Sequence, residues 1–145
     1  MNKENAMKKY LAFLLALLLM LGAVGCAGVG GEDTQGEPVV ADGQTIGTGS
    51  KTFAAQIGDL DGSEIAFTVK TDKTTVGEAL QELGVLQGEE GPYGLYIKAV
   101  NGKPLDYEKD GAYWAFYVDG AYATAGVDET DIVETSVYRL QAEKG

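Results

Sequence analysis

One cysteine, no histidine and eight tyrosines set the range of side-chain chemistry open to this chain of 145 residues. The cysteine, Cys26, follows a small-residue stretch, Gly22-Ala23-Val24-Gly25. A small residue directly before a cysteine is what lipoprotein signal peptidase accepts once diacylglycerol has been placed on the thiol. Upstream lie Lys3, Lys8 and Lys9 and then an unbroken apolar run over residues 11–21. That run is too short for a span of roughly 20 apolar residues but suits the core of a signal peptide. Residues 1–25 therefore read as a lipoprotein signal peptide and Cys26 as the lipidated residue. An unpaired thiol in an exported protein otherwise lacks an explanation. Two or more acyl chains, each contributing about 0.8 kcal/mol per buried methylene, give a stable anchor, which metabolic palmitate would label. The expected location is the extracytoplasmic face of the cell membrane, with the membrane as a partner through the lipid.

The remaining chemistry is sparse. Without histidine no Ser-His-Asp arrangement can be built, and with the thiol lipidated no Cys/His metal site remains. Carboxylates adjoin at Asp59/Asp61, Glu89/Glu90, Asp128/Glu129 and Glu129/Asp131, all in turn-like or acidic stretches without the apolar setting that raises one pKa for acid catalysis. The Asp59-Leu-Asp-Gly-Ser63 run lacks the spacing of an EF-hand loop and reads as a plain turn. No glycine-rich turn has the dinucleotide pattern. The sequence thus points away from an enzyme and names no metal ligand. The chain carries 11 basic against 22 acidic residues, and loss of residues 1–25 removes three lysines and one glutamate, moving the net charge from −11 to −13. Such a charge repels nucleic acid and anionic headgroups.

The tyrosines are the other resource. Most lie, with the single tryptophan, between Tyr93 and Tyr138. Trp114 shares a strand face with Phe116 and Val118 and reads as a core anchor. Tyr93 and Tyr122 fall in or beside loops and Tyr96 on an outward strand face, where such rings either dock a ligand or cap the sheet.

The elements that must position these residues follow from local pattern. Residues 26–50, after the lipidated cysteine, have almost no apolar periodicity and read as a flexible tether, so residues 51–145 form the one domain. Residues 52–57 and 64–70 read as a hairpin, the second alternating cleanly around Ile65, Phe67 and Val69. Thr75-Val-Gly-Glu78 is a capping box, and Val76, Ala79, Leu80 and Leu83 form one apolar stripe ending at Gly84. Strands follow over residues 95–100, closed by Asn101-Gly102, over 113–118, closed by Asp119-Gly120, and over about 134–141. This order, with one helix laid on one face of a small mixed sheet, predicts an α+β, β-grasp-like fold.

Several segments recur together in a known family: Thr75-Val-Gly-Glu-Ala-Leu80, Gly91-Pro-Tyr93, Val100-Asn-Gly102, Tyr113-Trp114, Gly126-Val127, Glu134-Thr135 and Arg139-Leu140. In that order they resemble the C-terminal β-domain of transcobalamin and intrinsic factor, and the single-domain bacterial lipoproteins that carry it alone. The resemblance implies a β-grasp domain and a corrinoid ligand such as cobalamin, with no other cofactor. It places Gly91, Pro92, Tyr93, Gly94 and Leu95 on a loop approaching the corrin, and the 119–125 loop with Tyr122 at the same end. It makes Trp114 the family tryptophan supporting these loops from below. In the vitamin carriers a helical domain holds the other face of the ligand, so here a partner protein would complete the site. The alternative from the residues alone is a non-enzymatic cell-surface interaction or structural module whose sheet edge pairs with a partner.

Overall fold

The computed structural model describes residues 36–145; residues 1–25, expected to be a signal peptide, and Cys26 lie outside the described residues. Strands are β1 (Thr45–Gly47), β2 (Lys51–Gly58), β3 (Glu64–Thr71), β4 (Leu86–Gly91), β5 (Gly94–Val100), β6 (Lys103–Pro104), β7 (Ala112–Val118), β8 (Ala121–Tyr122) and β9 (Val137–Lys144). Two short helices, α1 (Val76–Glu82) and α2 (Tyr107–Asp110), and a 3-10 turn at Val127–Glu129 complete the set.

Local chemistry forms these elements as expected in several places. The β2–β3 hairpin turns on Asp59 and Asp61, whose carboxylates accept from Leu60 N and Ser63 N, and it sends Phe53, Ala55, Ile57, Phe67 and Val69 to the core. Thr75 caps α1 with both halves of the capping box. At its other end Gly84 N donates to Gln81 O and Val85 N to Leu80 O, a Schellman ending that needs the positive φ of Gly84. Asn101-Gly102 and Asp119-Gly120 turn with φ positive at both central residues, which matches the twist of the strands they join.

The expected one-helix β-grasp over a single mixed sheet is not what the chain builds. The protein is mostly β, with two sheets, the larger a curled half-barrel of six strands. Its order is β1-β3-β2-β9-β7-β8, with β1 parallel to β3 and β2 parallel to β9. The smaller sheet is β4-β5-β6. The difference has a physical origin in β4. Its sequence, Leu-Gln-Gly-Glu-Glu-Gly, has no apolar alternation, yet it pairs antiparallel with β5 and takes that strand into a second sheet. The helix α1 is only seven residues long, and it buries Val76, Ala79 and Leu80 against this shared core rather than covering a sheet.

Ordered structure also begins ahead of Lys51. Val40 is 2% exposed. Asn101 Oδ1 accepts from Val39 N at 2.7 Å and Val40 N at 3.0 Å, and Asn101 Nδ2 donates to Val40 O at 3.0 Å. These backbone groups, with β1, lie within the stretch expected to be tether. At the other end β9 starts at Val137 rather than near residue 134. Ser136 N donates to Val133 O, and the Asp119 carboxylate accepts from Ser136 Oγ and Val137 N, so residues 133–136 are a turn.

Candidate functional site

The β4–β5 hairpin closes at Gly91 and Gly94, leaving Pro92 and Tyr93 at its tip. Gly94 has φ +103, and a Cβ there would lie 3.2 Å from Asp128 Oδ1. The same oxygen accepts from Leu95 N at 3.0 Å and would lie 2.7 Å from a Cβ on Gly126. The Asp128 carboxylate therefore sits between two glycines and ties the hairpin tip to the 3-10 turn. Thr130 Oγ1 donates to Gly126 O at 2.8 Å, and Val76 N donates to Thr130 O at 2.9 Å, fixing the turn to the start of α1.

Tyr122 shares a cleft wall with the end of the same turn. It lies on β8, 60% exposed, with its ring edge-on to Tyr117 at 5.3 Å. A cleft of about 410 Å³ separates Val118, Tyr122, Ala123 and Thr124 from Glu129 and Thr130. The Tyr93 hairpin is thus held to the 3-10 turn by Asp128, and Tyr122 shares a cleft wall with Glu129 at the end of that turn, while Tyr93, Gly94 and Leu95 do not line that cleft. Tyr93 is 95% exposed and, among the described residues, enters no ring pair. Leu95 is half-buried and packs on the core.

Trp114 is 6% exposed. Its Nε1 donates to Lys103 O at 3.1 Å, beside the β5–β6 turn, so its hydrogen bond goes to the end of β5 away from Gly94. A second cleft of about 240 Å³ opens there, with Ile57, Asp59, Glu64, Val100, Lys103 and Trp114 in its wall. Lys103 and Asp59 form an ion pair across it. Asp61 is engaged within its own turn, since hydrogen bonds from the Ser63 hydroxyl and amide hold its carboxyl below the usual range. Among the described residues no three carboxylates stand close enough together to hold an ion.

Sequence reasoning missed Asp128 as the joint of this end. Its signal was present only in combination: glycines at 94 and 126 leave room for a carboxylate that follows Gly126 by two residues.

Residues 73–136 match the family model described as a domain of unknown function, DUF4430. No curated protein matches the chain. Among solved structures the chain is similar to a protein of Ruminococcus gnavus ATCC 29149, provisionally described as metal binding. The two share 26% identity with a TM-score of 0.62, over 66% of this chain and 99% of that one. It is also similar to haptocorrin in complex with Cbi, at 15% identity and a TM-score of 0.45, over 65% of this chain and 25% of that one.

Proposed function

We propose that this chain is a membrane-tethered, extracytoplasmic and non-enzymatic binding domain, and that its ligand is a corrinoid such as cobalamin. The ligand docks on the loop end carrying Tyr93, Gly94, Leu95 and Tyr122. The observation that carries this reading is that the hairpin bearing the exposed Tyr93 is bonded to the 3-10 turn whose Glu129 lines an open cleft with the exposed Tyr122. A tyrosine ring offers a large contact area at low entropy cost, with a hydroxyl for an amide side chain of the ligand. Asp128 anchors the hairpin that presents Tyr93, so its loop needs little ordering on binding. The resemblance drawn from the sequence supports the same residues. A corrinoid brings its metal inside its own ring, so it calls for no cluster of ligand side chains from the protein. The loop end covers one face of a flat macrocycle, and a partner protein covers the other.

The test is titration of the purified protein with cyanocobalamin and cobinamide, read by calorimetry and visible absorbance. Half of an enclosing site predicts micromolar affinity, about −8 kcal/mol or weaker. The small net charge of these ligands predicts little dependence on salt. Replacing Tyr93 and Tyr122 together with alanine abolishes binding and leaves the melting curve close to that of the parent. No binding of either corrinoid at high micromolar concentration overturns the reading.

A further inference from the structure

The outer face of the six-stranded sheet carries a row of tyrosines around one carboxylate. Side chains alternate along β7, so Tyr113 and Tyr117 leave the sheet on the side opposite the buried Trp114 and Phe116. The register places Tyr113 opposite Glu143, and Tyr117 between Arg139 on β9 and Tyr122 on β8. Glu143 accepts a hydrogen bond from Tyr113 Oη at 3.1 Å and another from Tyr117 Oη. Tyr107 of α2 packs on Tyr113 with ring centroids 6.3 Å apart, and Tyr122 on Tyr117 at 5.3 Å. The two ends of the row stay open, Tyr107 being 53% exposed and Tyr122 more so.

Glu143 lacks the partner a carboxylate in such a place ordinarily has. Among the described residues no lysine or arginine lies within ion-pair distance of it. Arg139, on the same face, is taken up by Glu64, Gln56 and Gln141. Lys144 stands opposite the buried Ala112 and so leaves the sheet on the other side. Ring faces are electron-rich and attract cations, and an uncompensated carboxylate among them adds to that field. The protein itself shows the pairing elsewhere, where Lys98 Nζ lies 5.4 Å from the centroid of Tyr96.

We infer that this face docks a basic segment of another protein, with lysine or arginine side chains laid over the tyrosine rings against Glu143. A single small amine would fill one place only. Tyr113 and Tyr117 are four strand residues apart, roughly 13 Å at ~3.3 Å per residue, and Tyr107 and Tyr122 lengthen the row at either end. A neutral glycan would lie on the rings and leave Glu143 uncompensated, and a polyanion would meet a chain of net charge −11. The hydroxyls donated to Glu143 are held in their neutral form, that of Tyr117 being pushed up to about 12. The rings are therefore oriented before a partner arrives.

The test titrates the full-length, detergent-solubilised protein with hexalysine, with its fully Nε-acetylated counterpart and with cellohexaose, following tyrosine ring resonances by NMR. Hexalysine is expected to shift the rings of Tyr107, Tyr113, Tyr117 and Tyr122 saturably, and the acetylated peptide not to. Glu143→Gln keeps one oxygen to accept a hydroxyl, puts an NH2 that can donate to the other, removes the charge, and should weaken binding about tenfold. Glu82→Gln, which removes the same charge from the exposed end of α1, should change it less than about twofold. Absent ring shifts with hexalysine overturn the inference. So does equal weakening by both variants, which would mean general attraction to an acidic surface, or shifts produced by cellohexaose alone.

Discussion

The hydrogen bond from Tyr117 to Glu143 ties one residue's protonation to the stability of the fold. Donating to a carboxylate favours the neutral hydroxyl, and partial burial beside Glu143 acts in the same direction, so Tyr117 is expected to ionise near 12 instead of 10.0. In the window between those values the folded chain holds a proton that the unfolded chain has released. This contribution to stability is complete below about pH 10 and is lost as pH rises toward 12. A carbon-13 NMR titration of the Tyr117 ring checks it, and a midpoint near 10 would mean that the bond does not persist in solution. Trp114 is a different kind of residue, because its ring is buried and its Nε1 bonded to Lys103 O. Trp114→Ala should lower stability by roughly 3–5 kcal/mol through the cavity it leaves, and thermal melting would show an unchanged midpoint if the ring did not pack. The burial of Trp114 was legible from its alternation with Phe116 and Val118 in one strand. The role of Asp128 was not, because its acceptor contact reaches Leu95 across 33 positions of sequence.

At the scale of elements, whatever is decided by a few consecutive residues was readable. The capping box at Thr75, the Gly84 ending and the Asn101-Gly102 and Asp119-Gly120 turns each satisfy or redirect backbone groups within their own turn. What was not readable is long-range pairing. β4 carries Gln87, Glu89 and Glu90 and has no apolar face to announce it, so the presence of a second sheet left no periodic trace. The same holds for β1, three residues whose position is fixed by a parallel register to Thr68, Val69 and Lys70. That strand bears on where the domain begins. Gly43 N donates to Ala66 O, and Thr68 N to Gln44 O. Together with the buried Val40 these bonds make residues 40–47 part of the fold. A chain starting at Lys51 loses one buried valine, worth about 1.5–3 kcal/mol, and several backbone hydrogen bonds of about 1 kcal/mol each. It should melt well below the chain that starts at residue 36, and limited proteolysis should stop short of Val40. Equal melting temperatures would return residues 36–50 to the tether.

At the scale of the whole molecule, charge and the single thiol bear on membrane attachment. An acidic domain with net charge −11 over the full chain is repelled by anionic headgroups and cannot hold itself to a membrane surface by electrostatics. If it works at a membrane, the affinity has to come from elsewhere; a lipid anchor would supply it, although one acyl chain alone gives only marginal, reversible binding. Cys26 is the sole residue in the chain whose side chain can carry a thioether-linked diacylglycerol, since no second cysteine exists. The fold described for residues 36–145 contains no cysteine, so a change at position 26 should not alter the domain. Cys26→Ser is therefore expected to separate anchoring from folding. In cells fed labelled palmitate, the serine variant should incorporate no label and should either leave the membrane fraction or persist as the longer, unprocessed precursor. Its domain, released from residues 1–25, should keep the melting temperature of the parent. Palmitate retained by the serine variant would end the assignment of Cys26 and, with it, the membrane-tethered reading of the chain.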